Sequence, residues 1–501
     1  MGFDHAADEC MLCRLSRRRL LFGSGAALLA SAIPARLRAR TANPVERDGI
    51  ATARTAMKKL PPRSNLTIRS AYILTMDPDL GDLDGADIQV ADGVITAIGR
   101  RLPDKGIDID GRGFIVMPGL VETHWHMWGT LLRSMAGDVK ARGYFPTVST
   151  IGKFYEPADM YVGAALSVAE ALNSGITFVH DWCHNIRAPS FAEADLQALI
   201  DSGIRGRFGY GYPNGQAMSG TIDFADVERL RASWPKYSHD GLLSLGIAWR
   251  GLRWGAFARP KDLAQSEFER AHRLGLPLSV HASVQAGEHS GEVGELADAN
   301  LLDPTVQVIH AVAASDEEIA KMARAGCVLS LSPLSELRIG FGFAPIAKFL
   351  DAKISLGLSV DTTVLTGNAD MFGIMKTVQN MANGAANDEF ALLPKRILEL
   401  ATIEGARSMG VDKQVGSLAP GKRADLIMVD ARAINIGPFT DPYYMLVDAA
   451  EAANVDTVIV DGRVLKRDRR LTAIDTAGLM KTAQTRLASL LRRADWPPNS
   501  K

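Results

Sequence analysis

The sequence predicts an α/β fold built on a parallel sheet, and two observations carry that prediction. Short apolar runs of the buried-strand kind recur along the chain, at 276–280, 306–309 and 354–360 among others. Helix-like segments separate them, for example 315–325, whose Ser-Asp-Glu-Glu opening has the form of a capped start. Strands that alternate with helices make a parallel sheet. When such units close into an eight-stranded barrel, the carboxyl ends of all the strands meet on one face, where active sites lie.

Length and composition agree. The 501 residues suffice for a large barrel and a smaller domain, and 47% hydrophobic with 23% charged residues is ordinary for a globular protein. A net charge of −1 offers no basic field for a nucleic acid. The partner this leaves is a small-molecule substrate, and self-association into a homo-oligomer stays open.

The densest local signal is the stretch 118–126, Pro-Gly-Leu-Val-Glu-Thr-His-Trp-His, where an apolar run (114–117) meets a turn. In extended chain, residues i and i+2 point to one side, so His124 and His126 can share one divalent cation. Two ordinary histidines are the plain alternative. Three further candidates each close an apolar run: His281 after 276–280, His310 after 306–309 and Asp361 after 354–360. On a barrel these distant residues become neighbours.

These residues, together with Tyr-Ile-Leu-Thr-Met-Asp at 72–77 and Gly-Ser-Leu-Ala-Pro-Gly-Lys-Arg-Ala-Asp-Leu at 416–426, resemble the amidohydrolase superfamily, in the branch of cytosine deaminase and the chlorohydrolase-like triazine hydrolases. The resemblance implies a distorted TIM (β/α)8 barrel over 118–412. It implies a small β-sandwich assembled from 40–117 and 413–470, with a helix and tail over 471–501. It further implies one metal ion held by His124, His126, His281 and Asp361, with zinc the best fit and iron the alternative. Relatives with two metals use a lysine after the fourth strand, and the run 242–250 has none. By the same resemblance Asp361 is both ligand and general base for a metal-activated water, and His310 stands beside it, polarising the substrate or steadying the hydroxide rather than binding the metal.

One departure bears on the substrate. Deaminases of this branch carry His-x-x-Glu after the fifth strand, the glutamate protonating a ring nitrogen; here the sequence is His281-Ala282-Ser283-Val284. Valine moves no proton. The expected reaction is therefore hydrolysis of a non-peptide C–N bond (amide, carbamate, urea or cyclic amide) in a small heterocyclic or aromatic molecule. Deamination or dechlorination of a nitrogen heterocycle is the alternative, with Glu336 or Glu288 replacing the missing acid. A non-catalytic scaffold is the rival from another class, although such proteins lose ligands that this chain keeps. His184, Trp182, Arg250 and Glu336 are candidate substrate contacts, packing at the barrel rim being the competing account for the loop residues. Arg250 could hold a carboxylate or polar oxygen. Trp125, Met127 and Trp128 could line an apolar pocket or be core, and Asn214 and Gln216 are weaker candidates.

The first residues read differently. Ser-Arg-Arg-Arg-Leu-Leu at 16–21 sets a twin-arginine pair before an apolar stretch (20–32) too short for a membrane span. A twin-arginine signal over 1–39 implies passage through that export machinery to the periplasm or the medium. Its removal takes six arginines and three acids, moving the net charge from −1 to about −4. It also removes Cys10 and Cys13, leaving Cys183 and Cys327, whose pairing the sequence does not tell. Replacing Arg17 and Arg18 by lysine is expected to leave precursor in the cytoplasm, as cell fractionation would read; unchanged periplasmic yield would contradict the signal.

Overall fold

The computed structural model describes residues 44–497 except 239, 255 and 256; the expected leader lies outside them. Eight parallel strands form one sheet: β1 (Leu120–Val121), β2 (Ile176–Cys183), β3 (Arg205–Tyr210), β4 (Leu243–Trp249), β5 (Leu278–Ala282), β6 (Val306–His310), β7 (Val328–Leu331) and β8 (Leu356–Leu358). Chain continuing from β1 meets β8: Asp361 N donates to His124 O at 2.8 Å, His126 N donates to Asp361 O at 2.7 Å, and Trp125 bridges Asp361 in parallel. The sheet thereby closes into a distorted TIM barrel. Strand β2 is buried along its whole length, as a strand covered on both faces must be.

The helices between strands start and stop on their own chemistry. Asp316–Ala325 opens on Ser315, whose hydroxyl accepts from Glu318 N while the Glu318 carboxylate accepts from Ser315 N, the reciprocal box its sequence suggests. Pro157–Ser174 has proline in its first turn and ends at Gly175 with φ 91°.

Segments from both ends of the chain build the second sheet. It is one continuous mixed sheet of nine strands in which Phe114–Pro118 pairs antiparallel with Leu426–Asp430, Val116 opposite Met428. Its core, including Ile68, Ile88, Leu426 and Ile459, is separate from the barrel's. The chain passes from this sheet into β1 at Gly119, where a Cβ would come within 2.0 Å of the Thr177 hydroxyl, so only glycine fits. The helix expected near the C-terminus is Thr476–Arg493; its Arg486 and Arg493 reach Asp159 on the helix Pro157–Ser174. Cys183 and Cys327 are buried free thiols. No helix among the described residues is long and apolar enough to cross a membrane.

A buried ion pair ties the sheet to the barrel. Arg205, opening β3, grips Asp425 through Nε (2.6 Å) and Nη2 (3.0 Å), both side chains almost fully buried. Asp461 beside it takes Arg63, Arg205 and Arg423. Removing one partner strands the other without solvent, so Asp425→Ala is expected to cost about 3–5 kcal/mol in denaturant unfolding. Asp138→Ala, at the exposed pair with Arg142, should cost under about 1 kcal/mol; equal losses would contradict this.

Candidate active site

The strand ends bring the predicted residues to one place. His124 and His126 follow β1 with their rings 4.7 Å apart, and each Nε2 lies 3.3 Å from Asp361 Oδ1. His281, on β5, stacks its ring 5.4 Å from His126, and His310, ending β6, lies 5.3 Å from His281. Potential ligand atoms of His124, His126 and His281 fall within 4.8 Å of one another, as do those of His124, His310 and Asp361. His310 and Asp361 have φ of 73° and 60°, conformations that L-residues adopt at a cost and that concentrate at functional sites.

Proton positions follow from a single contact. Trp128 Nε1, which can only donate, points at His184 Nδ1 (3.2 Å), so that nitrogen is an acceptor. The hydrogen bond between His184 Nδ1 and His126 Nδ1 (2.9 Å) must then carry the proton of His126. In the neutral ring His126 Nε2 therefore presents a lone pair to the carboxylate of Asp361. His124, fully buried, is held down at about 3 by burial and is neutral; its two ring nitrogens have no hydrogen-bond partner. Burial, and then the neighbouring imidazoles, hold His281 neutral too. A lone pair facing a carboxylate is repelled unless a cation lies between them. Three imidazoles and one carboxylate fit a divalent metal ion, and the end of β4 supplies no lysine for a second.

Buried groups brace this cluster. Glu122 accepts backbone N–H from His124 (2.8 Å), Val360 (3.2 Å) and His180 (3.2 Å), joining β1, β2 and β8 beneath the site; burial pushes its carboxyl up to about 8 against those donors. His180 gives Nδ1 to Thr123 O at 2.9 Å and stays below the floor. Glu336 accepts from His310 Nδ1 (2.9 Å) and from Ser332 N (2.8 Å) and is wholly buried. Expected at the substrate, it stands instead behind His310, on the inward face of the helix Pro333–Ile339, where Ser332 N and His310 Nδ1 hold its carboxylate. Burial lowers His310, but Glu336 first and Asp361 next raise it overall.

A cavity of about 870 Å³ opens over the cluster. His126, His281, His310 and Asp361 form part of its wall, with Trp182 and His184 beside them. Trp182 donates to Ser279 Oγ at 2.9 Å and packs edge-on against His281 at 4.4 Å. Val284 and Glu288 line the wall after β5, and Arg250 lines it after β4. Asn214 and Gln216 also reach the cavity, whereas Trp125, Met127 and Trp128 are core. Tyr144, Tyr212 and Phe341 line it as well, from loops without any sequence pattern to mark them. Burial and then the charge of Asp361 keep the Tyr144 hydroxyl protonated.

The amidohydrolase family model matches residues 115–465, spanning the barrel and its junctions with the second sheet. This chain belongs to the amidohydrolase family. It is a hydrolase of carbon–nitrogen bonds. Among similar proteins, a 5'-deoxyadenosine deaminase of Methanosarcina acetivorans is 29% identical, over 86% of this chain and all of that protein. A 5-methylthioadenosine/S-adenosylhomocysteine deaminase of Pelotomaculum thermopropionicum is 28% identical, over 86% of this chain and all of its own length. The amidohydrolase also shares its fold with a zinc-bound adenosine deaminase from Xanthomonas campestris (TM-score 0.76, 24% identity, 86% of this chain and all of that one). A zinc complex of atrazine chlorohydrolase from Arthrobacter aurescens TC1 is similar as well (TM-score 0.74, 22% identity, 84% and all, respectively).

Proposed function

We propose that this amidohydrolase uses one divalent metal ion, zinc first and iron second, to hydrolyse an amide, carbamate, urea or cyclic amide bond of a small heterocyclic or aromatic molecule. The observation that carries the reading is the meeting of His124 and His126 with Asp361, each Nε2 3.3 Å from the carboxylate, with His281 beside both histidines under the cavity. Those four side chains would hold the ion. When bound, it supplies Lewis acidity, which draws the pKa of water from 15.7 towards about 7.

The chain's own groups do the rest. Asp361, as its carboxylate, takes a proton from the attacking water and delivers it to the leaving nitrogen as the C–N bond breaks. His310, its Nδ1–H committed to Glu336, turns Nε2 to the substrate and stabilises charge on the attacked carbonyl oxygen. Trp182 and Tyr212 give the ring of a flat substrate apolar walls. At Val284 no acid meets the substrate, which suits an acyl or carbamoyl carbon that needs no ring-nitrogen protonation. A second reading, deamination of a nitrogen heterocycle, is favoured by Glu288 in the cavity wall and by the deaminases among the relatives. The twin-arginine segment supports a periplasmic or secreted location.

A hydrolysis screen over amides, carbamates, ureas and aminated heterocycles tests the reading. Chelation should abolish turnover and zinc or iron restore it. His310→Asn should keep the metal yet lower turnover by about 10²-fold, and Val284→Glu should not improve acyl hydrolysis. Deamination outpacing acyl hydrolysis in the native enzyme would overturn the preference and transfer the acid's role to Glu288.

A further inference from the structure

Arg250 is a charged side chain that the hydrolytic steps leave unused. It follows β4, is 7% exposed and lines the cavity. Its guanidinium carbon lies 4.0 Å from the centre of the Tyr212 ring; Nη1 donates to Gln216 O at 2.7 Å and touches the Met218 sulfur at 3.2 Å. Nη2 has no partner. Among the described residues no carboxylate comes within ion-pair distance of Arg250. Other basic side chains of this wall meet carboxylates: Arg253 meets Glu295, His289 meets Glu292 (3.2 Å) and, behind them, Arg259 meets Glu267 (2.9 Å). Arg250 is also close to the reacting groups. Tyr212, on which it stacks, packs 5.8 Å from the His184 ring, and His184 bonds to His126.

An unpaired guanidinium with little access to water costs stability, so a protein that keeps one in a cavity wall gains where a ligand brings the opposite charge. We propose that Arg250 is the anion-recognising residue of this site and that the substrate carries a carboxylate a few bonds from the C–N bond that is cut. The inference rests on reading the cavity as the substrate site of an amidohydrolase. One planar cation whose Nη2 is unpartnered matches a single-charged carboxylate. A doubly charged phosphate would leave one charge unbalanced, in a cavity whose wall already includes Asp361 and Glu288. Tyr212 and Met218 shield the contact from water, which strengthens it.

Calorimetric titration of the metal-loaded, full-length protein with phenylacetate and with 2-phenylethanol, a neutral analogue that has no C–N bond to cut, tests the proposal. Wild type should bind the carboxylate at least about tenfold more tightly than the alcohol, the scale of one charge-assisted hydrogen bond. Arg250→Met should abolish that preference with metal content unchanged, and Arg250→Lys should keep part of it. A wild type without preference, or one that binds neither compound, overturns the proposal. So does a preference that survives in Arg250→Met, which would put the carboxylate on the metal centre. Should the variant fail to fold, a crystal structure of wild type with phenylacetate decides: the carboxylate on Nη2 supports the assignment and any other placement refutes it. Binding is read without turnover, so a blank hydrolysis screen leaves the result interpretable. Amides hydrolysed with no carboxylate preference would remove the carboxylate and keep the amidohydrolase chemistry.

Discussion

The contact between His126 Nε2 and Asp361 Oδ1, two electron-rich atoms 3.3 Å apart in a nearly dry site, is the constraint on which the rest depends. Trp128 forces His184 to accept, His184 forces His126 to donate from Nδ1, and the lone pair that remains faces a carboxylate. His124 Nε2 lies equally near Asp361, and neither of its ring nitrogens has a hydrogen-bond partner. Burying such groups without a positive charge is costly, so filling the site couples metal binding to stability.

The barrel exists around that point. Closure between the chain after β1 and the chain after β8 runs through backbone bonds of His124, His126 and Asp361 themselves; the proposed ligands are therefore also the seam. Glu122 takes up N–H groups from three strands just below, which fixes the height of both histidines. The second sheet contributes at a distance: Gly119 lets the chain turn from Phe114–Pro118 into β1 against Thr177, and Arg205 with Asp425 holds the two layers together. Metal-ligand geometry must be accurate to a few tenths of an ångström, and rigid strand ends meet that demand better than loops.

Much of this was legible in the sequence. Histidines two apart at a strand end, and His281, His310 and Asp361 each closing an apolar run, have patterns set by strand periodicity, and the barrel brings them together. Val284 was legible for the same reason, three residues from a ligand. Glu336 was not: its role depends on how the helix Pro333–Ile339 presents it to His310, which no local spacing encodes. Tyr144 and Tyr212 come from rim loops whose paths are set by packing. Arg250 could be named as a contact, but its unsatisfied Nη2 is a property of the folded cavity alone. The paired acids of the second sheet, Asp425 and Asp461, are 36 residues apart, and the arginine they share, Arg205, reaches them only when β3 is laid beside them.

X-ray absorption at the metal edge of the purified enzyme tests the central claim most directly. One metal per chain, ringed by about three imidazole nitrogens and one or two oxygens at 2.0–2.2 Å, with no second metal nearby, is the predicted spectrum. A protein that takes up no zinc or iron, a sulfur shell from a cysteine, or a metal–metal vector would contradict it.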